Sequence, residues 1–170
     1  MAVLVAAIVL GPLTFIVLFA AITGLALLMN DYAGASVNRM ITTLAGVYLF
    51  LAFAAYVSGY QGAEVLIPYL VTVIYLPIAK LYLKKPEPLK DWAYAFAGQL
   101  YVALPFSLLT VLGFIGTDEA DSSLVSYNFL LPLCIFIFIW TNDTGAYCCG
   151  SLLHRRFPAK LFERISPNKS

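Results

Sequence analysis

Five long stretches of this chain contain no charged residue, and they dominate what it can fold into. They lie at Leu13–Met29, Met40–Tyr60, Leu66–Ile78, Trp92–Ile115 and Tyr127–Trp140. A bilayer core is about 30 Å thick and is crossed by roughly 20 apolar residues of helix. The first, second and fourth runs meet or approach that length. The third gains length from Lys80, whose stem can snorkel, and from Tyr82, while the fifth continues through a mildly polar stretch to Leu153. Composition agrees: 62% of the 170 residues are apolar and 11% are charged. A soluble domain has about 25% charged residues, and this chain has too little polar sequence to cover a water-facing surface. Disordered, collagen-like and coiled-coil classes fail on the same composition. The expected fold class is all-α, a polytopic transmembrane helical bundle with about five full spans, in one membrane-embedded domain over residues 1–170.

A sixth apolar piece, Ala2–Leu10, covers only about 14 Å as a helix. It has neither the basic start nor the small-residue cleavage pattern of a signal peptide. Gly11-Pro12 marks a break after it. It reads as the second half of a first helix, with a re-entrant or interfacial lead-in as the alternative.

The positive charges orient the spans. Arg39 lies in the connection Asn30–Arg39; Lys80, Lys84, Lys85 and Lys90 cluster around the next alternate connection; Arg155, Arg156, Lys160, Arg164 and Lys169 lie in the C-terminal tail. The intervening connections Gln61–Val65 and Gly116–Ser126 have no Lys or Arg, and the second is acidic through Asp118, Glu119 and Asp121. Short loops retain Lys and Arg on the cytoplasmic side. All ten positive charges, and with them the C-terminus, are therefore expected in the cytoplasm. A net charge of +1 leaves no nucleic-acid footprint. Lys84–Asp91 is too short to fold alone, and no linker or repeat is evident. Pro68, Pro77, Pro105 and Pro132 fall within apolar runs, as membrane helices tolerate.

Chemistry concentrates between Trp140 and Ser170. If the last helix starts near Tyr127, Asp143 stands about 24 Å along it, close to the cytoplasmic head groups. An intramembrane carboxylate costs roughly 2.5–3.5 kcal/mol at the helix centre and less near the edge. It should therefore face protein or a wet cavity. Steps of four, three and four put Asp143, Tyr147, Gly150 and His154 on one helical stripe. Two readings of Asp143 are open: a metal ligand or polar anchor admitting a charged head group, or an interfacial residue that ends the span. Ala146 and Gly150 form a small-xxx-small pair, a weak packing signal. The basic tail either holds topology and attracts anionic lipid, or binds phosphate through Lys169. Cys134, Cys148 and Cys149 show no metal-ligand spacing and read as small apolar residues; a disulfide is not expected. With His154 the lone histidine, no His-based metal cluster or Ser-His-Asp set is available, and no GxxxxGK[ST] loop occurs.

Asn142–Tyr147 (NDTGAY), Gly150 and Lys160–Pro167 (KLFERISP) followed by NKS together resemble the CTP:phosphatidate cytidylyltransferase (CDP-diacylglycerol synthase) family. That family pairs an (A/N)D-x-x-AY-x-x-G segment with an ISPKK(S/T) segment. Asn168 stands here in place of one lysine, Leu153-His154 in place of a second glycine, and Arg155–Ala159 includes a short insertion. Family members continue into a C-terminal signature with a Lys-Asp pair and a Gly-His-Gly-Gly…Asp-Arg segment. The resemblance covers essentially this whole chain but about two-thirds of a family member. The expectation is thus a fragment, inactive as it stands.

The resemblance implies a Mg²⁺-dependent reaction in which the phosphate of phosphatidate attacks the α-phosphorus of CTP. The products are CDP-diacylglycerol and pyrophosphate. It assigns Asp143 as the catalytic and metal-binding residue, and Asn142, Ser166 and Lys169 to substrate phosphate. The implied partners are phosphatidate, CTP and the lipid bilayer, with no nucleic acid and with a homodimer left open. The implied location is a bacterial inner (cytoplasmic) membrane. The competing classes are a transporter or channel subunit using Asp143 as an ion site, a CTP-dependent lipid kinase, and a structural membrane subunit.

Overall fold

The computed structural model describes residues 2–29, 36–82, 88–118 and 121–153, with side chains described for most of them. The five apolar runs all form helices. They are α2 (Pro12–Leu28), α3 (Ser36–Val57), α4 (Ile67–Tyr82), the pair α5 (Pro88–Gly98) and α6 (Leu104–Gly113), and α7 (Leu130–Leu153); α1 (Ala2–Leu10) precedes them. Three segments are long and apolar enough to cross a membrane: Arg39–Val57, Lys90–Gly113 and Leu130–Ser151. Pro12–Leu28 and Ala63–Ala79 are shorter apolar helices. The chain is a helical membrane bundle.

The acidic connection, expected only as a loop, contains a short antiparallel ladder. Strand β1 (Gly116–Asp118) pairs with β2 (Asp121–Ser126) in the register Gly116↔Ser126, Thr117↔Val125 and Asp118↔Asp121. Thr117 and Val125, which face each other in that register, are both residue types that favour strands.

Local chemistry explains the helix boundaries. Gly11 adopts φ 151°, a region that penalises any side chain, and Pro12 then starts α2 where its missing N–H costs nothing. The carbonyls at the end of α1 have no partner within their own helix. Thr14 Oγ1 donates to Ala7 O at 2.8 Å, and Tyr127 Oη donates to Ile8 O at 2.9 Å. The break foreseen at Gly11-Pro12 is thus a sharp junction tied down from both sides.

Between α5 and α6 the helix widens into a π turn over Gln99–Ala103, with Leu104 N–H reaching back five residues to Gln99 O. Pro105 supplies the cause. It has no N–H to continue the ladder, and its ring crowds the carbonyl four residues earlier. The widened turn accommodates that defect without breaking the span.

The chain divides at Pro132 into two units, 1–132 and 133–170. In the first unit, Phe15 and Phe19 are fully buried with ring centroids 4.8 Å apart. Tyr127 lies 5.6 Å from Phe15, and Phe106 lies 5.8 Å from Phe19. Beyond this aromatic layer, Leu27, Leu49 and Ala103 form an aliphatic cluster. Here α2, α3 and the π turn approach so closely that a Cβ on Gly46 would overlap Leu27 Cδ1. The same atom would sit 3.1 Å from Ala103 Cβ and 3.3 Å from Gln99 Oε1.

Three of the polar side chains buried in this unit are satisfied locally. Thr23, Ser107 and Thr110 hydroxyls donate to carbonyls of their own helices at 2.7, 2.7 and 2.6 Å. Lipid supplies no hydrogen-bond partner, so buried polar atoms find theirs inside the protein. Thr43 Oγ1 is buried without one among the described residues. In the second unit, the described structure is the continuation of α7.

Candidate functional site

The residues expected to carry chemistry stand on α7. The helix starts at Leu130, three residues later than the sequence suggested, so Asp143 lies about 20 Å along it. Helix then continues for ten more residues to Leu153. The polar stretch after Trp140 is helical and belongs to the span, as expected. One unbroken helix keeps Asp143, Tyr147 and Gly150 on a common stripe, as their spacing requires.

Asn142, Asp143 and Thr144 are exposed, and Tyr147 is 77% exposed. Nothing lies within 4 Å of a Cβ built on Gly145 or Gly150. The neighbouring Thr141 is occupied, donating its hydroxyl to Ile137 O at 2.7 Å. Ser151 does the same to Cys148 O at 3.1 Å. On the adjoining face, Trp140, Thr141, Thr144, Gly145 and Cys148 line a shallow depression of about 430 Å³. The carboxylate at Asp143 thus has an open approach within this unit, beside an amide, on an otherwise apolar helix.

Ser166 and Lys169, the other two expected phosphate contacts, lie outside the described residues, as do His154 and the basic tail. The structure therefore brings Asn142 and Asp143 together on one helix and leaves the rest of the expected set unplaced.

The donor chemistry at Asp143 suits Mg²⁺ in one specific sense. Among the described residues there is no group of three or more His, Cys, Asp or Glu side chains able to hold a metal ion. Mg²⁺ commonly uses one or two carboxylates and completes its octahedron with water and substrate phosphates. Asp143 with Asn142 beside it fits that role and does not fit an all-protein cage. Cys134, Cys148 and Cys149 are free thiols, as expected.

Sequence reasoning passed over one polar site. Gln99 is 2% exposed at the π turn, donates through Nε2 to Thr42 O at 2.7 Å, and accepts from Tyr69 Oη at 3.5 Å. The signal was present: Gln99 is the only side-chain amide in the run Trp92–Ile115, six residues before Pro105.

Comparison with known proteins gives one finding. The cytidylyltransferase family model matches residues 1–170. No curated protein and no solved structure matches the chain.

Proposed function

The chain belongs to the cytidylyltransferase family and is a CTP-using nucleotidyltransferase, and on that premise we propose that its acceptor is phosphatidate. The observation that carries the reading is the Asn142-Asp143 pair on α7, set in an apolar spanning helix and followed by a basic tail. A lipid phosphate and a soluble nucleotide can meet only at a membrane surface. A carboxylate near the end of a span, with positive charge after it, suits that boundary.

In the reaction, a phosphate oxygen of phosphatidate forms a bond to the α-phosphorus of CTP. The bond from that phosphorus to the bridging oxygen breaks, and pyrophosphate leaves. Asn142 orients a phosphate oxygen through its amide. Lys169 and Ser166, by the motif they belong to, hold the charge of the triphosphate. Asp143 would hold Mg²⁺, which supplies Lewis-acid stabilisation of the developing charge when bound. The basic tail, in this reading, emerges into the cytoplasm, where CTP is found.

Labelled CTP supplied to membranes containing a full-length version, with the family's C-terminal signature, tests the proposal. The expected product carries cytidine on the lipid, with release of pyrophosphate, and its formation depends on phosphatidate and Mg²⁺. Release of CDP with an unlabelled lipid would identify a kinase instead. Ion flux in proteoliposomes without CTP dependence would point to a transporter.

A further inference from the structure

Within the first unit, α4 and α5 are held differently from their neighbours. α2 packs on α3, and α6 packs on both, whereas α4 and α5 pack chiefly on each other. Phe15, Phe19 and Leu27 of α2 are buried, as are Ser107, Leu109 and Thr110 of α6. Among the described side chains of α4 and α5, only Leu76 and Ala95 are buried. Two apolar spaces separate α4 from α3. Ile41, Ala45, Tyr48, Pro68 and Thr72 line one, of about 490 Å³. The other is a cavity of about 370 Å³ lined by Leu49, Phe53, Tyr69 and Gln99, with Phe96 and Leu104 from the α5–α6 segment. Elements with few buried apolar contacts open at low free energy. In a bilayer, acyl chains meet any helix faces that part, so hydrophobicity does not hold those faces together.

Both helices of the pair join the core through irregular turns. A 3₁₀ turn over Ala63–Leu66 leads into α4, and the π turn over Gln99–Ala103 joins α5 to α6. Such turns recur at hinges and functional positions in helices. Two firm hydrogen bonds pin these same turns to α3. Tyr48 Oη donates to Val65 O at 2.8 Å, and Gln99 Nε2 donates to Thr42 O at 2.7 Å. Tyr69, already on α4, reaches Gln99 Oε1 only at 3.5 Å, the limit of a hydrogen bond.

We infer that α4 and α5 form one arm, hinged at the 3₁₀ and π turns, that swings against a fixed core of α2, α3 and α6. The roots stay pinned through Val65 and Gln99, and the far ends of both helices move together. The swing changes the width of the space between α3 and α4, and with it access to the cavity beside Gln99. The widened turn at Gln99–Ala103 is what lets α5 turn while α6 stays packed on the core. The hinge requires no assumption about the reaction.

The test uses the whole chain in phosphatidylcholine nanodiscs, with Cys134, Cys148 and Cys149 changed to Ser and paired nitroxides on new cysteines. Distances are read by pulsed electron spin resonance on frozen samples. Met40 with Ile78 spans core and arm, Met40 with Leu108 lies within the core, and Ile78 with Ala93 lies within the arm; all four positions are exposed. The first pair is expected to show two populations or a broad distribution, and the other two a single narrow one. Pro105→Ala supplies the missing N–H, lets the regular ladder close, and should collapse the Met40–Ile78 distribution to one population. Tyr69→Phe should raise the longer-distance population about twofold, the low end for a neutral hydrogen bond. A Met40–Ile78 distribution as narrow as that of Met40–Leu108 would overturn the inference. So would equal breadth in all three pairs, which marks a loose bundle and not an arm. Neither CTP nor phosphatidate is present, so failure here leaves the acceptor proposal to be judged separately.

Discussion

The first unit and α7 are both apolar helical structure, yet they differ in how much of that structure is buried. In the apolar windows of α3 and of α5–α6, 44% and 39% of residues are buried; in that of α7, 6% are. The buried hydroxyls at Thr23, Ser107 and Thr110 donate to nearby carbonyls. On α7, Asn142, Asp143 and Thr144 are exposed along a span that has few other polar groups. The contrast teaches that a polar residue in a membrane helix is explained by its partner. Those with a partner in the same helix are accounted for by the fold, and the open ones on α7 are where the proposed function puts its ligands.

Five substitutions can break or sharpen this contrast. The largest effect is expected at Phe19→Ala, which empties the centre of the aromatic layer. The loss should be about 3 kcal/mol, at the low end for such cavities because the unfolded side chain sits in lipid rather than water. Thermal unfolding in detergent measures it. In a full-length version carrying the family's C-terminal signature, Asp143→Asn should lower cytidine incorporation about 100-fold, equivalent to roughly 2.7 kcal/mol of transition-state stabilisation, with insertion and melting unchanged. Unchanged turnover would remove Asp143 from the site.

Gly46→Val should destabilise by about 1–3 kcal/mol, because the new side chain meets Leu27, Ala103 and Gln99 together. Gln99→Leu removes the donor to Thr42 O and should cost about 1–2 kcal/mol, read from the same melts. The smallest effect belongs to Tyr147→Ala on α7, within about 0.5 kcal/mol in stability. A loss at Tyr147 as large as that at Phe19 would erase the distinction between the two regions.

Much of the architecture was legible because span formation is a property of continuous apolar length. Each of the five uncharged runs became helical, and Gly11-Pro12 broke the chain where those two residues demanded it. Boundaries were less legible. The far end of α7 at Leu153 is where the mildly polar stretch was expected to carry it, whereas its start at Leu130 falls three residues after Tyr127. The short ladder at 116–126 escaped notice because three- to six-residue strands in a connection leave little periodicity to read. At the candidate site, a carboxylate inside an apolar helix pointed to Asp143, the motif added Asn142, and helical spacing placed Asp143 on one stripe with Tyr147 and Gly150.

Hydropathy, charge placement and the Asn142–Pro167 motif pair thus settled class, span positions and family within the sequence itself, since each depends on residues close together in the chain. The cavity beside Gln99 could not be found that way. It depends on Thr42, Tyr69 and Gln99, which are separated by 57 and 30 residues along the two hydrogen bonds they make, meeting at one level of the bundle. Only helix packing brings such positions together, and the π turn at Pro105 helps set where the amide sits.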